Sequence, residues 1–272
     1  MLLPMTCCDS TPPSQWTVGL VQADTHWADP EANRENLGRL LRESPGCALY
    51  VLPETCTTGF LGESIQDLER RHQDDLAWLR GESAARRAAI ACSLVAPGER
   101  GPVNRFVLMQ PDGTMVHYDK RHLFAHGGEH RRYRPGNRRV RTRLWGRGVD
   151  LQICYDLRFP VWCRNDAGFD LQLFVANWPS PRIEHWLCLL RARAIENQCF
   201  VVGVNRCGRD GRGLDYPGRS VVYGPLGECL AGPLDDSEQV GRGRLDFAML
   251  EAVRRSYPFL ADRDRYEIIV DE

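Results

Sequence analysis

Three side chains that can do chemistry each follow a short stretch of strand-forming residues: Glu54, Lys120 and Cys154. A carboxylate partly removed from water has a raised pKa and can act as a general base near neutral pH. A buried lysine can stabilise a developing oxyanion and lower the pKa of a nearby thiol. A cysteine at a strand end occupies the position from which α/β hydrolases present a nucleophile to the substrate. These are the residue types that acyl transfer through a cysteine requires.

Each of the three residues also has an ordinary structural interpretation. A glutamate at a strand end commonly caps the next helix or faces water, and a lysine in a basic loop commonly lies on the surface. A free cysteine is usually buried and inert, and ten other cysteines in the chain keep that interpretation open for Cys154. The residue types alone leave both interpretations open, and the co-occurrence of all three favours the catalytic one.

The elements that must bring these side chains together are predicted from apolar periodicity and turn residues. Strands are predicted at residues 16–21, 48–52, 88–95, 103–109, 115–118, 149–154, 171–175, 200–204 and 240–245. Helices are predicted at residues 33–43, 76–89 and 184–197. Strands that alternate with helices, with a hairpin at residues 111–114, predict a mixed α/β domain. Ligands of such sheets bind near the carboxyl ends of the strands.

Longer stretches around the three residues resemble the nitrilase, or carbon–nitrogen hydrolase, superfamily, whose signature is a Glu–Lys–Cys triad on three strand ends. The similar stretches are residues 52–54 with 58–60, 118–124, 153–160, 176–179, and 185–186 with 191–197. The resemblance covers the chain from about residue 16 to about residue 245. It implies an α/β fold, a four-layer α-β-β-α sandwich of the nitrilase type that dimerises through its helices.

The resemblance also implies a role for each residue of the site. Glu54 would accept the thiol proton, and Cys154 would attack the amide carbon. Lys120, together with the backbone N–H of Tyr155, would stabilise the oxyanion. A second glutamate of the family corresponds to Glu129, which would orient Lys120 or the substrate amide. Ammonia would leave and water would hydrolyse the thioester, a route that requires neither a metal nor an organic cofactor.

Residues 154–162 and 177–179 are most similar to the bacterial omega-amidase branch, which hydrolyses the terminal amide of 2-oxoglutaramate and 2-oxosuccinamate. The free carboxylate of such a substrate is bound best by a planar guanidinium. The candidate substrate-binding residues are two arginines, three aromatic residues that can wall the pocket, and an asparagine beside them: Arg158, Arg182, Phe60, Phe124, Trp178 and Asn177. Arg158 is equally well explained as a structural ion-pair partner, and the aromatic residues as core residues.

Length, charge and cysteine usage argue against several other classes of protein. The chain has 272 residues, a formal net charge of −1 and 11 cysteines. The balanced charge gives no reason to expect nucleic acid or a membrane as a partner. The resemblance implies that the partners are a small amide and a second copy of the chain. The irregular cysteine spacing favours a reduced, cytoplasmic protein. Residues 1–15 lack a signal-peptide pattern and are expected to form a flexible arm, with residues 16–272 as a single domain.

Three alternatives stay open at this point. The same triad would serve a nitrile, an N-carbamoyl amine or deaminated glutathione as substrate. The scaffold could be a catalytically silent binding module, although no triad residue is lost. A structural metal protein is suggested only by the number of Cys and His residues, whose spacing matches no zinc pattern.

Overall fold

Two six-stranded sheets and the helices around them form the fold in a computed structural model, which describes residues 14–59 and 67–270. In chain order the strands are β1 (Gln15–Gln22), β2 (Leu49–Val51), β3 (Ala89–Ala96), β4 (Val103–Met109), β5 (Met115–Asp119), β6 (Arg141–Leu144), β7 (Arg147–Ile153), β8 (Leu171–Ala176), β9 (Phe200–Asn205), β10 (Cys207–Arg209), β11 (Asp215–Pro217), β12 (Val221–Tyr223), β13 (Cys229–Ala231) and β14 (Gln239–Asp246). The α-helices are α1 (Pro30–Glu43), α2 (Leu68–Arg86), α3 (Ile183–Asn197) and α4 (Phe247–Ser256).

The two large sheets stack face to face, and the larger hydrophobic core lies between them. The strand order is β14-β1-β2-β3-β4-β5 in the first sheet and β13-β12-β9-β8-β7-β6 in the second. Strands β1 to β3 are parallel, as are β7 to β9. Side chains alternate across each strand, so Leu49 and Val51 belong to the core between the sheets, whereas Tyr50 belongs to the core under the helices.

Helices cover the outer face of each sheet. The first, α1, begins where Asp29 Oδ1 accepts a hydrogen bond of 3.0 Å from the Ala32 N–H, with proline at the first helical position. Helices α1 and α2 bury their apolar face against the first sheet. Helix α3 packs against the second sheet, where a Cβ at Gly203 would lie only 2.3 Å from Leu190 Cδ1. These layers confirm the predicted α-β-β-α sandwich.

At three element ends that differ from the sequence prediction, the backbone turns left-handed. The second helix begins at Leu68 rather than at residue 76, and it ends before residue 89 because Arg87 has a φ of 51°. The strand predicted at residues 149–154 ends at Ile153, because Cys154 has a φ of 46° and opens a short 3₁₀ turn. Cys154 therefore lies just after the last residue of strand β7 rather than within the strand.

Other elements escaped the sequence prediction. Strand β6 and strands β10 to β13 are three or four residues long, too short for a periodic pattern, and α4 follows β14 directly. The first strand begins at Gln15, inside the arm predicted at residues 1–15, while residues 1–13 lie outside the described residues. Of the helices that the structure describes, none has the length and apolar character needed to cross a membrane.

Candidate active site

The predicted triad comes together at the edge where strands of both sheets end. Glu54 follows β2, Lys120 directly follows β5, and Cys154 directly follows β7. A fourth strand end, that of β8, contributes Asn177. All four residues line one cavity, so the separate strand ends of the sequence prediction form a single site.

A lysine held between two buried carboxylates forms the charged cluster of this site. Lys120 Nζ lies 2.8 Å from Glu54 Oε1 and 2.9 Å from each carboxylate oxygen of Glu129, and none of the three side chains is more than 1 % exposed. Burial alone would lower the pKa of Lys120, but the charges of Glu129 and Glu54 raise it well above its usual value. The cluster therefore holds a permanent cation.

The two oxygens of Glu54 have different surroundings. Oε1 accepts hydrogen bonds of 2.8 Å from both Lys120 Nζ and Asn104 Nδ2. Oε2 accepts one of 2.8 Å from the backbone N–H of Asn177. A carboxylate oxygen has two lone-pair sites, so Oε2 retains one that can take a proton.

Cys154 is presented to the cavity by a strained turn and lines the cavity together with Glu54. Its Sγ lies 4.0 Å from the backbone oxygen of Asn177, the residue whose N–H donates to Glu54 Oε2. Burial and the Glu54 charge raise the pKa of this thiol well above its usual value, and the Lys120 charge opposes them. The resting sulfur is therefore protonated, and its proton must leave as the sulfur attacks.

A third buried carboxylate, that of Asp156, braces the cysteine turn against the lysine loop. Its Oδ2 accepts hydrogen bonds from the Ile153 N–H at 3.0 Å and the Tyr118 hydroxyl at 2.8 Å, and its Oδ1 accepts one from the His122 N–H at 3.0 Å. The sequence analysis did not assign this role. The only signal was an acidic residue two positions after the candidate nucleophile.

The cavity beside Cys154 has a volume of about 140 Å³ and takes in most of the predicted site. It is lined by residues of every predicted kind: Glu54, Lys120, Phe124, Glu129, Cys154, Tyr155, Arg158, Asn177, Trp178 and Arg182. The predicted wall residue Phe60 lies outside the described residues. Among those that are described, no group of three or more His, Cys, Asp or Glu side chains is arranged to hold a metal ion.

The two predicted arginines differ in how far they are already engaged. The guanidinium of Arg158 lies 4.9 Å from the Trp178 ring centre, and its Nη2 lies 3.1 Å from His185 Nδ1. The guanidinium of Arg182 lies 5.3 Å from the Phe124 ring centre. Across residues 14–59 and 67–270, neither guanidinium has a carboxylate within 4.0 Å. Both positive charges are thus available to an anionic ligand.

The hairpin of β10 and β11 supplies a wall of the cavity that the sequence analysis did not assign. Asp210, Arg212, Leu214 and Tyr216 line it. The Tyr216 hydroxyl donates to Asp210 Oδ2 at 3.0 Å, and Asp210 Oδ1 accepts from the Arg212 and Leu214 N–H groups at 2.9 Å. The sequence marked residues 210–211 only as a turn, and their distance along the chain from the triad hid their place in the site.

A thiol, a carboxylate and a lysine that meet beside a small cavity, on the strand ends of stacked α/β sheets, are typical of hydrolases with a cysteine nucleophile. The carbon-nitrogen hydrolase family model matches residues 17–255. The chain belongs to the carbon–nitrogen hydrolase family and is an enzyme that acts on amides.

Two proteins and one crystal structure that are similar to most of this chain show which branch of the family it resembles. The chain is 42 % identical over 254 residues to omega-amidase YafV of Escherichia coli (strain K12), covering 92 % of this chain and 98 % of that protein. It is 31 % identical over 254 residues to 2-oxoglutaramate amidase of Bacillus subtilis (strain 168), covering 91 % and 97 %. The crystal structure of XC1258 from Xanthomonas campestris, a CN-hydrolase superfamily protein with an arsenic adduct in its active site, matches with a TM-score of 0.88 and 42 % identity over 93 % and 99 %. The predicted resemblance to the omega-amidase branch is confirmed.

Proposed function

We propose that this enzyme hydrolyses the terminal amide of small 2-oxo dicarboxylate monoamides, 2-oxoglutaramate and 2-oxosuccinamate, to the acid and ammonia through a thioester on Cys154. The observation that carries the proposal is a single small cavity that combines the thiol, the buried cluster around Lys120 and two arginines that have no carboxylate partner among the described residues. The names of the relatives from Escherichia coli and Bacillus subtilis support the same substrate class.

The first step is attack of the Cys154 sulfur on the amide carbon. The thiol is protonated at rest, and Glu54, whose Oε2 keeps a free lone pair beside the Asn177 N–H, is proposed to take the proton as the C–S bond forms. Negative charge then moves from the sulfur to the amide oxygen. Proton transfer and attack thus occur in one step, and no resting thiolate is needed.

The tetrahedral intermediate is stabilised by a cation that is already in place. Lys120 and the backbone N–H of Tyr155 are proposed to face the oxyanion, and the two hydrogen bonds that Lys120 Nζ donates to Glu129 keep the ammonium fixed while charge develops. One such donor contributes roughly 3 kcal/mol in acyl transfer. Glu54 then returns its proton to the amine, the C–N bond breaks and ammonia leaves.

Water completes the cycle by hydrolysing the thioester. Glu54 takes a proton from the water as its oxygen attacks the acyl carbon, and the C–S bond breaks with return of that proton to the sulfur. The net reaction consumes one amide and one water and yields one carboxylic acid and one ammonia. All groups used are side chains or backbone of this chain.

The free carboxylate of the substrate is assigned to Arg182. Arg158 already donates to His185, whereas the Arg182 guanidinium makes no hydrogen bond among the described residues and keeps its planar fork free for two parallel bonds. Phe124 and Trp178 form apolar walls, and Asn177 holds the loop through its bond of 3.1 Å to Thr55 Oγ1. A cavity of about 140 Å³ is smaller than most drug-sized pockets, which suits a short dicarboxylate chain.

The test is ammonia release from 2-oxoglutaramate and 2-oxosuccinamate by the wild-type protein, in parallel with a nitrile, an N-carbamoyl amine and deaminated glutathione. We expect kcat/KM for the two oxo-amides to exceed that for every other compound. Turnover of the nitrile alone would contradict the proposed substrate class while leaving the cysteine mechanism intact.

A substitution at Arg182 tests the assigned anchor. Arg182→Ala should raise KM for 2-oxoglutaramate by roughly 10- to 100-fold, the effect of losing charged hydrogen bonds, and should leave kcat/KM for an uncharged aliphatic amide nearly unchanged. Arg158→Ala is the matched control on the same cavity. Equal losses for charged and uncharged amides would contradict the assignment to the carboxylate.

The protein is proposed to form a homodimer. Two patches of exposed large apolar side chains support this proposal: Ile195 on α3 lies against the turn that carries Leu226, and Val161 lies by the C-terminal segment with Phe259. Exposed apolar patches mark interaction surfaces. Light scattering of the purified protein should give twice the mass of one chain, and Ile195→Glu should shift it towards one chain.

The compartment is proposed to be the cytoplasm. The nine described cysteines are all free thiols, including exposed Cys188 and Cys229, which suits a reducing environment. Fractionation of cells that express the native chain should recover it with cytoplasmic markers.

A further inference from the structure

Asn104 is a buried residue of β4 whose side chain connects the two carboxylates of the cluster and whose backbone pairs with that of Lys120. Its Nδ2 donates to Glu54 Oε1 at 2.8 Å and approaches Glu129 Oε1 at 3.4 Å. Its backbone oxygen accepts a hydrogen bond of 2.9 Å from the Lys120 N–H. Its Oδ1 has no hydrogen-bond partner in the described part of the protein, so the side chain bonds only to the two carboxylates.

We propose that Asn104 is a positioning residue for amide hydrolysis: its amide group holds Glu54 Oε1 so that Oε2 faces the Cys154 thiol. The inference rests on the proposed function, because it assigns to Asn104 the orientation of the general base. It adds a residue that the Glu–Lys–Cys triad does not include.

The reason lies in the geometry of the carboxylate. Lys120 Nζ binds Glu54 Oε1 and both oxygens of Glu129, so it constrains the Glu54 carboxylate at one atom only. With Asn104 as a second donor to that same oxygen, and with the Asn177 N–H bonded to Oε2, rotation of the carboxylate breaks three hydrogen bonds rather than two. The Asn177 N–H fixes Oε2 from the other side. The carboxylate is thus held at both oxygens, with one lone pair left for the thiol proton.

The donated bond also affects the charge of the base. A hydrogen bond to a carboxylate favours its ionised form, and only the ionised form can accept the thiol proton. Loss of the Asn104 donor should therefore move the acidic limb of the pH–rate profile to higher pH. It should also lower the rate on the plateau, because the Glu54 carboxylate is less well oriented.

The substitutions Asn104→Asp and Asn104→Leu remove the side-chain N–H donor with little change in side-chain size. Asn104→Asp also adds a negative charge, whereas Asn104→Leu does not. The matched control is Asn165→Leu. Asn165 is a fully buried asparagine in the loop before β8, and its side-chain amide donates to the backbone oxygens of Phe169 and Asn197. For all variants we would measure thermal unfolding, the pH dependence of kcat/KM for 2-oxoglutaramate, and the rate of Cys154 alkylation by iodoacetamide.

A positioning role predicts that both Asn104 variants lose roughly 10- to 100-fold in kcat, the effect of one hydrogen bond to a charged group, with KM nearly unchanged. The acidic limb should shift upward, more in Asn104→Asp than in Asn104→Leu, and alkylation should slow. Asn165→Leu should lower the unfolding temperature and leave the limb in place. If one Asn104 variant does not fold, the other carries the same comparison.

Two other results have different meanings. Asn104 variants that unfold earlier but keep the wild-type limb and kcat would overturn the inference and leave the proposed function standing. A wild-type protein that is alkylated at Cys154 but releases no ammonia from 2-oxoglutaramate would contradict the proposed function, and the alkylation rates of the variants would still decide the role of Asn104.

Discussion

Replacement of Lys120 by methionine should separate the structural and the catalytic contributions of the buried cluster. Methionine matches lysine in length but has no charge, so Lys120→Met leaves Glu54 and Glu129 without the cation that lies 2.8–2.9 Å from each. Removal of one partner from a buried ion pair costs about 3–5 kcal/mol, because the remaining charge is uncompensated. We therefore expect the free energy of unfolding to fall by about that amount at pH 8.

The loss should depend on pH in one direction. Burial raises the pKa of Glu129, and the Lys120 charge lowers it, so without the cation this carboxyl should bind a proton at a higher pH. A carboxyl whose pKa is higher in the folded than in the unfolded state contributes stability at low pH that is lost as pH rises through the folded value. The deficit of Lys120→Met should thus be smaller at pH 5 than at pH 8, by about 1 kcal/mol or more.

A double variant completes the experiment. Lys120→Met combined with Glu129→Gln removes one of the two opposing carboxylate charges and should recover most of the lost stability. It should release no ammonia, because the oxyanion still lacks its cation. Urea unfolding followed by tryptophan fluorescence at both pH values, with an ammonia assay, measures both quantities. A single variant as stable as wild type at both pH values, or an active double variant, would refute the reasoning.

Three further substitutions test the surroundings of the site. Asp156→Asn should lower the free energy of unfolding by roughly 2–4 kcal/mol in urea and reduce kcat, because an amide cannot accept all the bonds that brace the cysteine turn. Burial raises the pKa of Asp150 to about 6, so ionisation of this acid destabilises the fold as pH rises from about 4 to 6. A difference of about two pKa units, at about 1.4 kcal/mol each, corresponds to roughly 3 kcal/mol. Asp150→Asn should therefore raise the free energy of unfolding by up to that amount at pH 7.5 and by very little at pH 4. Gly203→Ala should lower the unfolding temperature through overpacking against Leu190, at a cost of about 1–3 kcal/mol, while kcat stays within twofold of wild type.

The triad was accessible from sequence because each of its members follows a strand whose apolar pattern is local. Glu54, Lys120 and Cys154 lie within three residues of the ends of β2, β5 and β7, so strand prediction alone placed them at sheet edges. The mixed α/β class followed from the alternation of strands with helices, whereas the four layers followed from the resemblance to the nitrilase superfamily. What local patterns could not supply was the conformation of Cys154, because a positive φ at a non-glycine residue depends on the packing around it.

The rest of the site depends on contacts between residues far apart in the chain. Asn104 meets Glu54 across 50 positions, and Asp156 meets Tyr118 across 38. Asn104 did leave a signal in the sequence. It lies on the same inward face of β4 as Phe106, so it is a polar residue at a position where the alternation predicts an apolar one. Of the wall formed by β10 and β11, only the turn residues could be recognised in the sequence, because a strand of three residues is too short to show an alternating apolar pattern.

Ammonia release by a variant without the proposed nucleophile tests the central claim most directly. Cys154→Ala should fold with an unfolding temperature close to that of wild type and release no ammonia from 2-oxoglutaramate above the uncatalysed rate. Cys188→Ala, at an exposed thiol of α3, is the matched control and should keep full activity. Release by Cys154→Ala at the wild-type rate would contradict the account, because the bond to the acyl group would then form elsewhere.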